Sequence, residues 1–135
     1  MGNAVKDSNL ILTKALPNGA ATVYSAGIDL GHGAKGDFLA NVEVKISAPA
    51  LTTTELPDTK TMTYSIQHDT DSAFGTVADL YPGVIVQTGA GGAGAAAATF
   101  TAKLPVDVAR HIRVKAVNSG AGDTSGKELT VEVLL

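Results

Sequence analysis

Phe38-Leu39-Ala40-Asn41-Val42-Glu43-Val44-Lys45-Ile46-Ser47 is the stretch from which the rest of this chain is read. Phe38, Ala40, Val42, Val44 and Ile46 fall on one parity, and Leu39, Asn41, Glu43, Lys45 and Ser47 on the other. Successive side chains of a strand point to opposite faces. Period two with one apolar parity therefore describes a sheet that is dry on one side and wet on the other. Pro49 ends the run, because proline has no N–H for a ladder.

The same period recurs toward the C-terminus. Thr61 to His68 alternates with Met62, Tyr64 and Ile66 inward, after a surface loop through Leu56-Pro57-Asp58. Val77 to Leu80 and Val84 to Gln87 read as two shorter strands separated by a Tyr81-Pro82-Gly83 turn. Gly89 to Ala98 is wholly Gly and Ala, and without caps or longer side chains it reads as a flexible loop feeding a strand over Thr99 to Leu104. Pro105 opens a short connection, with one helical turn through Asp107, Val108 and Ala109. His111 to Val117 alternates again with its basic residues on one face, and Leu129, Val131, Val133 and Leu135 share a face of the last strand. The Gly- and Ser-rich stretch 119–126 between these two strands makes them the best hairpin candidate.

Toward the N-terminus, Ala21 to Ser25 suits a short strand, and Gly31, Gly33 and Gly36 mark a loop. Residues 1–20 read as an arm or a loosely attached first strand, with the apolar run Leu10-Ile11-Leu12 before a Pro17-Asn18-Gly19 turn. Roughly seven or eight short strands without a convincing helix predict a β-sandwich or barrel. Clean alternation favours antiparallel pairing, since buried parallel strands are apolar on both faces. The expected organisation is one all-β domain over 21–135 with a short N-terminal arm.

At 135 residues the chain suits one domain, and size scaling buries roughly two-thirds of its extended surface, enough for a core without staples. With three Tyr, three Phe and no Trp, that core is expected to be aliphatic. A net charge of −3 argues against a protein that grips phosphate backbones, so no nucleic-acid partner is expected. Zero cysteines exclude disulfides, thiolate nucleophiles and Cys-ligated metals. Met1 to Asp7 lacks the layout of an export signal, and no apolar run has membrane-spanning length, so a soluble protein without a membrane partner is expected.

No pattern of catalytic residues emerges. His32, His68 and His111 show no metal-pair spacing and read as solvated loop or strand-face histidines. Asp69-Thr70-Asp71-Ser72 resembles the start of a calcium loop, but Phe74 and Leu80 stand where such a loop needs Gly and Glu; a turn capped by side chains fits better. Gly31-His32-Gly33-Ala34-Lys35-Gly36 lacks the Lys-Ser/Thr pair and following helix of a phosphate loop. No Gly-x-Ser-x-Gly elbow is present. The expectation is a non-enzyme with no catalytic residue, metal or cofactor. Arg110 and Arg113 admit two readings, a solvated face or polar contact with a carboxylate of a partner.

Several segments, in order, resemble the cement (decoration) proteins of tailed-bacteriophage capsids, of the type described from a Bordetella phage. They are Ile28-Asp29-Leu30-Gly31, Val42-Glu43-Val44-Lys45-Ile46, Thr63-Tyr64-Ser65-Ile66-Gln67 and Asp69-Thr70-Asp71-Ser72-Ala73-Phe74. Most telling is Leu104-Pro105 leading to Ala109-Arg110-His111-Ile112-Arg113-Val114, then a Gly-rich turn and an apolar last strand. The resemblance implies a jelly-roll-like sandwich on the outer capsid surface of a virion, made in the host bacterial cytoplasm. It would clamp neighbouring major capsid proteins and associate with copies of itself as a dimer or trimer. Candidate partner-binding residues are Leu10, Ile11, Leu12, Arg110 and Arg113. Docking through Leu10-Ile11-Leu12 would make deletion of residues 1–15 weaken binding and leave the domain folded. The alternative is a carbohydrate- or receptor-binding β-sandwich of a phage or cell surface, disfavoured because sugar sites usually need an exposed aromatic platform.

Overall fold

The alternating segments form strands. A computed structural model of the chain describes residues 10–31 and 42–134. Its strands are β1 (Leu10–Ala15), β2 (Thr22–Tyr24), β3 (Ile28–Asp29), β4 (Glu43–Ala48), β5 (Thr61–Asp69), β6 (Ala78–Thr88), β7 (Ala98–Lys103), β8 (His111–Asn118) and β9 (Glu128–Leu134). Among the described residues there is no helix; the stretch after Pro105 is a single turn closed by Val108 N–H donating to the Pro105 carbonyl. Among the described residues, therefore, no helix is long and apolar enough to cross a membrane. The expected residues His32, Lys35 and Phe38 to Asn41, and the terminal Leu135, lie outside the described residues.

Every pairing between these strands is antiparallel, and the pairs nest. β5 pairs with β6, β4 with β7, β2 and β3 with β8, and β1 with β9. This is one long hairpin with its tip at β5–β6. Rolling it up adds the pairs β4–β9 and β5–β8, giving sheets ordered β1-β9-β4-β7 and β2-β8-β5-β6. That connectivity is a jelly roll, the antiparallel β-sandwich class the sequence predicted.

The two sheets close on an aliphatic core. Val44, Ile46, Leu129, Val131 and Val133 face Met62, Tyr64, Ile66, Ile112, Val114 and Ala116, each at most 1% exposed. Full burial of a side chain of the Val/Leu/Ile class stabilises by about 1.5–3 kcal/mol, so this inner layer is the main stabilising element. Tyr64 is the one aromatic at its centre. Its hydroxyl donates to Gln87 Oε1 (2.9 Å), and Gln87 Nε2 donates to the carbonyls of Pro49 (2.8 Å) and Ala96 (2.9 Å). Burial pushes the Tyr64 phenol pKa well up.

The rolled topology corrects several expectations. β8 and β9 do not form a hairpin: they lie in opposite sheets, and 119–127 crosses from one to the other. Tyr81-Pro82-Gly83 is not a turn but part of the continuous edge strand β6, where the register slips opposite Ser65. Pro82 is tolerated because an edge strand has a side with no ladder to serve, and Gly83 N–H donates to Ser65 Oγ instead (2.9 Å). The 89–97 segment is not free. Leu51 and Ala95 exchange two backbone hydrogen bonds of 2.9 Å, and Gly89 bridges Asp58. Leu56, expected on a surface loop, is fully buried beneath this assembly.

Leu10-Ile11-Leu12 belongs to a paired strand and not to a free arm. Six residues of β1 pair with β9, and Asn18 bridges Asp123 beyond it. Leu10 and Leu12 sit opposite Val133 and Val131, half-buried against the core, whereas Ile11 faces outward and is 53% exposed. Truncation through residue 15 would strip this strand from its sheet.

Candidate interaction surface

The outer face of the β2-β8-β5-β6 sheet gathers polar and aromatic residues. The parity of β8 that does not enter the core carries His111, Arg113 and Lys115, and the register places Tyr24 opposite Lys115, Asp29 opposite His111 and Gln67 opposite Arg113. Between β2 and β3 the chain leaves the ladder. Ser25 Oγ fills the gap by accepting the Val114 N–H (2.9 Å), which lets the following residues step outward.

The turn between β5 and β6 lies against this face. Asp69 Oδ1 accepts the Asp71 N–H (3.1 Å), Asp69 Oδ2 accepts the Thr76 N–H (2.8 Å) and Asp71 Oδ1 accepts the Ala73 N–H (3.1 Å). This is the capped turn the sequence suggested, and these amide bonds hold the Asp69 carboxyl below the usual range. The turn forces Phe74 into the left-handed region at φ 54°, costly for a bulky side chain. Its ring reaches Gly27, where an added Cβ would stand 3.0 Å from the Phe74 ring.

Arg113 is the centre of the cluster. Its guanidinium carbon lies 3.8 Å from the Tyr24 ring centroid and 4.4 Å from that of Phe74. Nε–H donates to Gln67 Oε1 (2.9 Å), and Gln67 Nε2 donates in turn to Asp79 (3.1 Å). Phe74 also meets His111 edge-on at 6.5 Å between ring centroids. Lys115 approaches Asp79 at 3.9 Å. Arg110 is arranged differently. Its Nε and Nη2 grip the two Asp29 oxygens at 2.8 and 2.9 Å, and this pairing lowers the Asp29 pKa to about 2.

The proposed partner-binding residues thus fall into two places. Arg113 lies on the outer face of β8 and Arg110 at the entry to that strand, paired with Asp29; Leu10, Ile11 and Leu12 lie on an edge strand of the other sheet. Tyr24, Phe74 and Gln67 were not singled out from sequence. The available signal was an aromatic at an outward parity position in an aromatic-poor chain. One histidine reading needs correction: His68 is 8% exposed at the end of the core, and its Nδ1 accepts the Ala109 N–H (3.0 Å). It lines a cleft of about 210 Å³ with Asp69, Thr70, Thr76 and Ala78, below the roughly 300 Å³ at which small-molecule pockets begin. Among the described residues no three His, Asp or Glu side chains are grouped to hold a metal ion.

No protein-family model matches the chain, and no curated protein matches it. Among solved structures, a chain of the cowpea mosaic virus empty virus-like particle is similar at TM-score 0.47 and 10% identity, covering 93% of this chain and 78% of that one. A chain of infectious bursal disease virus Gt strain aligns at TM-score 0.37 and 12% identity, over 98% of this chain and 29% of that one. A CBM4 structure aligns at TM-score 0.32 and 14% identity, over 97% and 82%. At these scores the jelly-roll assignment rests on the strand pairing itself, and function on the residues.

Proposed function

We propose that this chain is a structural virion protein that binds the outer surface of a tailed-phage capsid and stabilises the shell by bridging major capsid proteins, without catalysing a reaction. The observation that carries the proposal is the sequence run from Leu104-Pro105 to Val114, which resembles decoration proteins and in this fold enters β8. Fold alone assigns no chemistry, because jelly rolls serve capsids and lectins alike. Two features support a binding role. Ile11 is exposed on an edge strand, and Arg113 lies over two aromatic rings on the other sheet. A protein that binds only the assembled shell stabilises that shell by mass action, and many copies multiply the effect.

Co-sedimentation of the purified protein with cognate empty capsids tests the proposal. Saturable binding at a fixed ratio to the major capsid protein, with a raised shell disruption temperature, is the expected result. Failure to bind expanded capsids refutes it. A glycan array in parallel identifies the carbohydrate-binding alternative by specific sugar capture.

A further inference from the structure

We infer that Arg113 is a preorganised receptor for an acidic side chain of the protein surface on which this domain docks. The inference rests on the capsid-binding reading for the identity of that surface, but its chemistry stands on the outer-face geometry. The chain has two arginines at 110 and 113, and they are used differently. The Arg110 fork is closed on Asp29 in a bidentate pair. Arg113 faces no carboxylate within ion-pair distance among the described residues, and of its nitrogens only Nε has a hydrogen-bond acceptor there. Its two Nη groups keep their donors for something else.

Immobility sets this arginine apart from an ordinary surface cation. A free arginine loses rotamer freedom when it is held in one geometry, which is why exposed ion pairs contribute little. Here the guanidinium already lies over the Tyr24 and Phe74 rings, and Gln67, 6% exposed, accepts from Nε. The chain accepts a left-handed Phe74 and a side-chain-free Gly27 to place that second ring. Strain of this kind persists where the surroundings over-determine it, and it clusters at binding sites. A planar cation with parallel N–H donors matches a carboxylate better than any neutral group. Arginine flanked by tyrosine is also the composition of interface hot spots. The occupant that fits is a Glu or Asp side chain of the partner protein.

Arg113→Lys keeps the charge and removes the fork, so it separates geometry from electrostatics. In capsid co-sedimentation, with circular dichroism confirming an unchanged melting profile, binding is expected to weaken about 30-fold or more. Equal binding by Arg113→Lys overturns the inference and leaves the capsid role intact. If the wild-type protein does not bind capsids at all, the capsid role fails, and a second measurement on wild-type protein decides the inference. In that experiment the Arg113 side-chain NMR resonance is followed during titration with tetraglutamate, tetraglutamine and glucuronate at low salt. A saturable shift with tetraglutamate and none with tetraglutamine supports an acid receptor. No shift with either peptide overturns it. A tighter response to glucuronate overturns the protein partner in favour of an acidic sugar.

Discussion

Replacing Gly94 by alanine tests whether the Gly/Ala stretch is a seated part of the fold. Gly94 has φ +69°, and a Cβ built there would lie 2.0 Å from the Leu51 carbonyl oxygen and 2.5 Å from the Thr52 carbonyl carbon. Gly91 is the internal control, with φ +63° and nothing within 4 Å of a Cβ. Both substitutions force alanine into the left-handed region, at about 1 kcal/mol. Only Gly94→Ala must also push 89–97 away from 49–53. That movement breaks the two 2.9 Å hydrogen bonds between Leu51 and Ala95, at about 1 kcal/mol each. The expected losses are therefore about 3 kcal/mol for Gly94→Ala and about 1 kcal/mol for Gly91→Ala. For a domain of this size the difference of about 2 kcal/mol separates the melting temperatures by roughly 6–10 °C. Urea and thermal unfolding followed by circular dichroism measure both. Losses that agree within about 0.5 kcal/mol would show that 89–97 is not packed on 49–53, refuting the reasoning.

Deleting residues 1–15 removes β1, with its two half-buried leucines and its ladder to β9; a loss of about 4 kcal/mol or more is expected in urea unfolding. Ile11→Ser, on the outward parity, should change stability by no more than about 0.5 kcal/mol, so it isolates any binding role of that side chain in the capsid assay. Tyr64→Phe leaves Gln87 Oε1 buried without its phenol donor and is expected to cost about 1–3 kcal/mol, read as a lower urea midpoint at unchanged slope. Asp29 has its folded pKa lowered from 3.8 to about 2 by Arg110. Its contribution to stability is thus present above pH about 4 and lost as pH falls through about 2. Because the pair is about two-fifths exposed, the effect is screened to about 1 kcal/mol or less; unfolding midpoints of Asp29→Asn and wild type should converge at the acid end of a pH series.

Much of the fold was legible because it is written in period two. Val42, Val44, Ile46, Met62, Tyr64, Ile66, Ile112, Val114, Leu129, Val131 and Val133 all fall on the parity that their strands suggested, and all are buried. The errors lie where short-range signals compete with the sheet. Tyr81-Pro82-Gly83 has turn chemistry, yet β5 keeps it in an edge strand. Gly89 and Gly94 look like slack, yet glycine is there because neighbouring carbonyls leave no room for a Cβ.

Parity, turn residues and composition by themselves determined an antiparallel, aliphatic, cysteine-free sandwich, since each depends only on neighbours along the chain. Which strand lies beside which was decided by rolling the nested hairpin. Burial of both sheets' apolar faces against each other sends β8 and β9 to opposite sheets and sets β4 beside β9 and β5 beside β8. The same rolling assembles the Arg113 site from residues 24, 67, 74 and 113. Stacking distance and a left-handed φ at Phe74 are properties of chain segments meeting in space, and no spacing along the sequence encodes them.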